Sequence, residues 1–285
     1  MNKEISLYYS ADSDDAFMFW ALKENLIDTR PFHFTLRTGN TEDLNNQALD
    51  GKPDISAVSI YAYGFLADEY ILFPHSGSVG RNYGPVIVSP NPYTLDDLPR
   101  LTIATPGEKT TAHCILRMLS PRTKTTTIPI VPFDRIFEAI DHGDVDGGLL
   151  IHEGRLFYSH LGYHLIADIG EWWFQKTGLP LPLGGTVIKK SLGEETIRSV
   201  SSCLRRSIQY ALNNRDQVLE GIVNQENKKR KDIFNKELID EYLSLYANED
   251  TLDYGDDGRQ AIQTFLDMSF EANLLPQKVT AAFTP

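Results

Sequence analysis

One stretch in the middle of the chain limits the fold more than any other, because it joins two apolar runs to a Pro-rich segment. The first run, Gly147 to Ile151, ends in a His-Glu pair, and the second spans His164 to Ile169. After Trp172-Trp173 comes the segment Gly178-Leu-Pro-Leu-Pro-Leu-Gly184. This Pro-punctuated return predicts a crossing between two lobes. A titratable imidazole at the end of a buried strand is where α/β proteins place chemistry.

Strands and helices alternate along most of the 285 residues, which favours an α/β fold of one or two domains. Residues 1–89 and 183–285 are predicted to form a discontinuous larger lobe, and residues 90–182 a smaller one. The first crossing is placed at Asn91-Pro92, and two crossings suit a hinged protein that closes on a small ligand. Strands are predicted at 5–10, 32–36, 55–58, 71–73, 85–89, 101–104, 127–131, 145–151, 164–169 and 186–189; helices include 106–120 and 133–140, and the chain is largely helical from 192 onward.

Charge and composition disfavour several classes of partner. The net charge of −12 repels nucleic acid and anionic lipid, and the basic run Lys228–Lys231 is predicted to be a solvated helix face. No run of about 18 apolar residues is present, so no membrane span is expected. The N-terminus enters a strand without the apolar region of a secretory signal, which predicts a cytoplasmic protein.

His152 is the candidate catalytic residue. A histidine at the carboxyl end of a strand can act as a general base near neutral pH, although a backbone carbonyl that satisfies the ring would explain it equally. No metal is predicted, because the sequence after His152 lacks a second histidine at helical spacing, and the stretch around His164 has the pattern of a strand. The GxSxG pattern and a catalytic-cysteine context are also missing, which disfavours covalent acyl transfer.

Two helix starts are candidate sites for an anion or a hydroxyl group. Thr110 and Thr111 open the helix after strand 101–104, where free backbone N–H groups would bind an anion. Ser59 occupies the equivalent place after strand 55–58. Ordinary helix capping is the alternative at both starts. Arg81, in a Gly-rich loop that does not match GxGxxG, could pair with a ligand carboxylate or be simply an exposed arginine.

Together these motifs resemble the 1,4-dihydroxy-6-naphthoate synthases of the futalosine route to menaquinone. The resemblance runs from the first strand to about Lys190 and continues more weakly in the helical tail. The matching pieces are Thr110-Thr-Ala112, Gly148-Leu-Leu-Ile-His-Glu-Gly-Arg155, Trp172-Trp173 with Thr177-Gly-Leu-Pro-Leu-Pro-Leu-Gly184, Asp43-Leu-Asn45, and Gly80-Arg81 with Gly84-Pro85.

The resemblance implies the two-lobed α/β fold of type II periplasmic binding proteins, with a central cleft. It implies a cytoplasmic lyase that converts cyclic dehypoxanthine futalosine to 1,4-dihydroxy-6-naphthoate without a metal or organic cofactor. By the same resemblance His152 is the base, and the substrate-binding positions fall on Thr110, Thr111, Ser59 and Asn45. Asp15 and Arg81 are further substrate-binding candidates. The expected partner is a small-molecule carboxylate substrate, and a homodimer is the candidate assembly.

One loop departs from the family pattern. The family usually has Ser-Pro-Cys-Pro-Asn-Asp-Thr-Phe after the first strand, and this chain has Ser10-Ala-Asp-Ser-Asp-Asp-Ala-Phe17. Asp15 is kept, whereas both prolines, the asparagine and the threonine are lost, so a related but altered substrate is an alternative. Two other functions stay open: the chorismate dehydratase of the same pathway and a non-catalytic solute-binding protein, since fold alone does not fix function.

Overall fold

The computed structural model describes residues 3–128, 135–226 and 236–285, with the side chain of residue 226 excepted. The strands of this part of the chain form two sheets. In chain order they are β1 (Lys3–Ser10), β2 (Phe32–Gly39), β3 (Ile55–Ser59), β4 (Tyr70–Leu72), β5 (Ser78–Gly80), β6 (Val86–Ser89), β7 (Thr102–Thr105), β8 (Lys124–Thr127), β9 (Gly147–Leu150), β10 (His164–Asp168) and β11 (Leu181–Lys189).

Helices connect the strands and make up most of the C-terminal third. In chain order they are α1 (Ser13–Met18), α2 (Trp20–Lys23), α3 (Thr41–Leu49), α4 (Ile60–Leu66), α5 (Thr111–Leu119), α6 (Arg135–Asp141), α7 (Gly154–Phe157), α8 (Ile169–Thr177), α9 (Glu194–Asn213), α10 (Arg215–Glu226), α11 (Lys236–Tyr246), α12 (Glu249–Leu252) and α13 (Gly255–Glu271). None of the helices in the described ranges has the length and apolar content that a membrane crossing requires.

The first sheet has six strands, in the order β2-β1-β3-β11-β4, with β5 joined to β11. β1 runs parallel to β2 and β3, whereas β11 runs antiparallel to β3 and β4. The apolar side chains of β1, including Ile5 and Leu7, are fully buried. Val200 and Leu204 of α9 belong to the same apolar cluster, so the long helix covers this face of the sheet. Apolar burial of this kind is the main stabilising contribution of the fold.

The second sheet has five strands, in the order β10-β6-β9-β7-β8. β7 is parallel to β8 and β9, and β6 is antiparallel to β9 and β10. The chain therefore first enters the second sheet at Val86, ahead of the crossing predicted at Asn91-Pro92, and residues 86–89 leave the larger lobe to which the prediction assigned them. The apolar pattern correctly indicates a buried strand, but it carries no information about which sheet that strand joins.

The chain returns to the first sheet through the Pro-rich segment. Gly178 is the C-cap residue of α8, and its φ of 71° lies in the left-handed region that glycine adopts without strain. β11 then begins at Leu181, so the segment predicted only as a crossing is also the start of a strand. Pro182 sits where the register between β11 and β5 shifts, and an irregular position tolerates a residue that has no N–H.

The helix and the strand that follow β7 differ in extent from their predictions. The helix predicted at 106–120 begins at Thr111, because Thr110 is its N-cap and residues 106–109 form a loop. The strand predicted at 127–131 is observed at Lys124–Thr127. The remaining parts of that prediction, residues 129–131 and the helix start at 133–134, lie outside the described residues, as does the basic run 228–231.

Candidate active site

A cavity lies where the carboxyl ends of strands from both sheets meet. Its lining includes Ser10 at the end of β1, Ser59 at the end of β3, and His152 two residues after the end of β9. It holds about 770 Å³ of empty space, its open mouth included. The carboxyl ends of strands in open α/β sheets are where small-molecule sites occur.

His152 occupies this cavity in an unusual backbone conformation. Its φ is 53°, in the left-handed region that a non-glycine residue rarely adopts. Its side chain is 18% exposed. Nε2 lies 3.2 Å from Oγ1 of Thr41, which also lines the cavity. Residues held in such sparsely populated backbone regions cluster at functional sites, where the surrounding structure enforces them.

The other ring nitrogen of His152 faces a carboxylate. Nδ1 contacts Oδ2 of Asp12 and lies 3.4 Å from the hydroxyl of Tyr242, which comes from α11. Burial by itself would lower the pKa of His152, but the charge and hydrogen bond of Asp12 outweigh it, and the pKa is raised above its ordinary value. Burial would raise the pKa of Asp12, yet the imidazole and further hydrogen bonds keep that pKa below its ordinary value. The two groups therefore stabilise each other's charged forms.

Three further buried carboxyl groups surround this pair. Burial first, and then the charges of Asp12 and Asp15, raise the pKa of Asp14 well above its ordinary value. Burial, followed by Asp12, raises the pKa of Asp15 to about 8 and also raises the pKa of Glu153. Relative to Asp12, these shifts hold all three groups toward their protonated forms. Asp12, whose pKa is lowered, is the carboxylate that faces the imidazole.

Hydrogen bonds tie the loop after β1 to the loop after β9. Oε1 of Glu153 accepts hydrogen bonds from the backbone N–H and the hydroxyl of Ser13, at 3.1 and 2.5 Å. Asp15 accepts from the N–H of Ser10 at 2.6 Å and closes the loop on itself. Since β1 and β9 belong to different sheets, the Ser13–Glu153 contact joins the two halves of the site.

The opposite wall of the cavity carries hydroxyl groups, including the predicted Ser59, Thr110 and Thr111. Thr110 caps α5: its Oγ1 accepts from the N–H of His113 at 3.2 Å and donates to the carbonyl of Gly107 at 2.7 Å. The hydroxyl of Thr111 donates to the carbonyl of Leu183 at 2.7 Å and accepts from the N–H of Tyr61 at 3.2 Å. α5 is thereby anchored to β11 and to the start of α4.

Asn45 lies fully buried behind this wall and does not line the cavity. Its Oδ1 accepts from the N–H of Ser59 at 2.9 Å. Its Nδ2 donates to Oγ of Ser59 at 3.2 Å and to the carbonyl of Lys109 at 3.3 Å. The prediction made Asn45 a substrate-binding residue, and the structure places it one layer further out, where it holds two helix starts together.

Arg81 does not reach the cavity. Its guanidinium pairs with Asp250 and Asp257 at 2.6 and 2.7 Å on a partly exposed surface, so the structure does not place it as the partner of a ligand carboxylate. Arg155 of α7 is instead the one arginine or lysine among the described residues that line the cavity. It bonds the hydroxyl of Tyr246 and the carboxylate of Asp168, both at 3.2 Å, and its buried Nε has no hydrogen-bond partner among the described residues.

Asp12, Asp14 and His152 also bring one potential metal-binding atom each within 4.8 Å of one another. A cation would have to replace the contact between Oδ2 of Asp12 and Nδ1 of the imidazole. We therefore assign no metal to these residues.

Asp12, Tyr242 and Arg155 were not singled out by the sequence. Asp12 lies in the one loop that departs from the family pattern, and the density of acidic residues between 12 and 15 was the available signal. Tyr242 lies 90 positions after His152 in the sequence, and local sequence patterns do not indicate contacts between residues so far apart. Arg155 was quoted in a matching motif, but its position beside the cavity follows only from the turn into α7.

Comparisons with known proteins give the family. The sequence model of the protein family described as "Menaquinone biosynthesis" matches residues 5–271. A Thermus thermophilus protein named "1,4-dihydroxy-6-naphtoate synthase" is 32% identical over 259 residues, which cover 90% of this chain and 91% of that protein. A Streptomyces coelicolor protein of the same name is 30% identical over 275 residues, 95% of each chain.

Solved structures give the fold. The crystal structure of protein AF1704 from Archaeoglobus fulgidus has a TM-score of 0.87 at 31% identity and covers 95% of this chain and 98% of that one. The alkanesulfonate-binding protein SsuA of Xanthomonas axonopodis pv. citri has a TM-score of 0.71 at 13% identity and covers 99% and 97%. At that identity the likeness shows the fold alone, which is the periplasmic-binding-protein-like fold that the sequence predicted.

Proposed function

The chain belongs to the menaquinone biosynthesis family, and from this premise we propose that it is a 1,4-dihydroxy-6-naphthoate synthase with His152 as its general base. The substrate would be cyclic dehypoxanthine futalosine, and the reaction a carbon–carbon lyase reaction in the cytoplasm. The observation that carries the proposal is the shared name of two relatives that match 90% or more of the chain. The position of His152 in the cavity supports the chemical step.

The proposed base is Nε2 of His152. Because Nδ1 faces the Asp12 carboxylate, the ring proton belongs on Nδ1, and the free electron pair of Nε2 points toward Thr41 at the cavity lining. Nε2 would remove a proton from the sugar-derived ring of the substrate. Ring opening then releases the carbon fragment, and the bicyclic product becomes aromatic. Aromatisation supplies the driving force, so the protein needs only to position the substrate and accept a proton.

The charges of the cavity suggest how the substrate is oriented. Its carboxylate would be repelled by the ionised Asp12 and attracted by Arg155 and by the N-terminus of α5. The hydroxyl of Ser59, which accepts from Asn45, would then donate to an oxygen atom of the substrate. The hydroxyls of Thr110 and Thr111 already donate to the carbonyls of Gly107 and Leu183, so they would contact the substrate as acceptors. Opening and closing of the two halves, joined by the Ser13–Glu153 contact, would admit the substrate and exclude water.

The test is a substrate comparison with the purified protein. Cyclic dehypoxanthine futalosine and chorismate are offered separately, and products are identified by mass spectrometry. The proposal expects 1,4-dihydroxy-6-naphthoate from the first substrate and no dehydration of the second. Dehydration of chorismate would identify the alternative enzyme of the pathway, and tight binding of a solute without turnover of either compound would favour a binding protein.

A further inference from the structure

Asp12 has no assigned role, and among the described residues it is the only carboxylate in ion-pair or hydrogen-bond contact with the ring of the proposed base. We propose that Asp12 is a positioning residue that fixes the tautomer of His152 and stabilises its protonated form, so that the base is an Asp–His pair. This inference rests on the proposed function for its kinetic consequence, but the pair itself is a property of the free protein.

The geometry of Asp12 suits this role. Its side chain is 7% exposed, and Oδ2 contacts Nδ1 of His152. The other oxygen, Oδ1, is buried and has no hydrogen-bond partner among the described residues. Asp12 precedes α1 as its N-cap residue, yet its side chain makes no capping hydrogen bond. The carboxylate is thus committed to the imidazole and is not explained by the local demands of the helix.

Of the acidic groups that face His152, Asp12 is the one that supplies the negative charge beside the imidazole. Asp14 and Asp15 come from α1, Glu153 from the same loop as the histidine, Tyr242 from α11 and Thr41 from α3. Burial and neighbouring charges raise the pKa of Asp14, Asp15 and Glu153, and the pKa of Tyr242 is raised well above its ordinary value. Among these acids Asp12 alone has a lowered pKa, so it stays ionised when the others hold protons.

The proton balance of the step follows directly. The substrate proton moves to Nε2, the electron pair of its C–H bond stays on the substrate, and the ring becomes an imidazolium. Asp12 remains a carboxylate throughout and stabilises the positive charge that forms on the ring. A neutral residue at position 12 would leave this charge without a partner in a buried site.

Asp12 and Ser13 both lie in the loop that departs from the pattern of the resembled family. Asp12 stands where the family pattern Ser-Pro-Cys-Pro-Asn-Asp-Thr-Phe has cysteine, and Ser13 replaces a proline that could not donate an N–H to Glu153. The altered loop therefore changes the environment of the base as well as the wall of the cavity. We expect this chain to differ from relatives with cysteine there in the pH dependence of its rate.

The experiment compares Asp12→Asn with Asp14→Asn. The first variant keeps the shape and removes the charge, and its amide can donate to Nδ1 and place the ring proton on Nε2. We expect kcat to fall about 10²- to 10⁴-fold and the acid limb of kcat/KM to move down by about one pH unit or more. Burial raises the pKa of Asp14 well above its ordinary value, so Asp14→Asn replaces a carboxyl that is held toward its neutral form, and its acid limb should stay at the wild-type pH.

A second readout does not depend on turnover. The ¹⁵N chemical shifts of the His152 ring, assigned by difference from His152→Gln, report which nitrogen carries the proton. The wild type should have an unprotonated Nε2 at high pH, and Asp12→Asn should lose this preference, with thermal melting as a check that both variants fold. An unchanged tautomer in Asp12→Asn, or an acid limb that moves equally in Asp14→Asn, would overturn the assignment. If the wild type makes no product, the proposed function fails, while the ¹⁵N result still decides the pair.

Discussion

Asn45 offers the sharpest test of how the site is held together, because one buried amide satisfies groups in two different segments. It accepts from the N–H of Ser59 and donates to the carbonyl of Lys109. In Asn45→Ala both groups lose their partner, and each buried polar group left without one costs about 1–3 kcal/mol. The adjacent cavity lets water reach part of the gap, so we expect the free energy of unfolding to fall by about 2–4 kcal/mol.

The same substitution should weaken substrate binding. Ser59 and the loop before Thr110 would no longer be fixed relative to each other, so KM should rise more than kcat falls. Urea denaturation gives the free energy of unfolding, and steady-state kinetics give KM.

Asn46→Ala is the matched control, because Asn46 is the neighbouring residue on α3 and its side chain is exposed. The control should stay within about 0.5 kcal/mol of the wild type. If Asn45→Ala is no less stable than Asn46→Ala, the buried amide does not hold the two helix starts together, and the reasoning is refuted.

Two further changes test other parts of the site. Thr111→Val keeps the shape of the side chain but removes the hydroxyl that joins Tyr61 and Leu183. Urea denaturation should show a fall of about 1–3 kcal/mol in the free energy of unfolding, and KM should rise. Unchanged values of both would show that this hydroxyl is dispensable. The pKa of Asp15 is raised to about 8, so the folded chain keeps a proton that the unfolded chain loses near its ordinary pKa. The stability that this proton contributes is fully present below the pKa of the unfolded chain and is lost as the pH rises toward 8. The free energies of unfolding at pH 5 and at pH 8.5 should therefore differ less in Asp15→Asn than in the wild type. An equal difference in the two proteins would contradict the raised pKa.

The parts of this molecule that sequence predicts well are those set by local patterning. The alternation of apolar runs with helices predicts two α/β sheets, and the resemblance adds the periplasmic-binding-protein-like fold, which is confirmed. The end of β9 could be read from an apolar run followed by a polar pair, which brought His152 forward as a candidate. These features depend on residues close together in the chain.

The parts that sequence did not supply depend on contacts between distant segments. Arg81 was taken as available for a ligand because its partners Asp250 and Asp257 lie far along the chain. β6 pairs with β9 and β10, and its apolar pattern does not indicate these partners. Asp12 was missed because a carboxylate next to a distant imidazole leaves no periodic signal in either loop.

The central claim is that His152 is the base of the reaction, and its most direct test is the turnover of cyclic dehypoxanthine futalosine by His152→Gln beside the wild type. Substrate affinity is measured on both proteins by calorimetry, so that loss of binding is separated from loss of chemistry. The account predicts that 1,4-dihydroxy-6-naphthoate forms about 10²- to 10⁴-fold more slowly in the variant, with affinity nearly kept. Equal rates of product formation in the two proteins would contradict it.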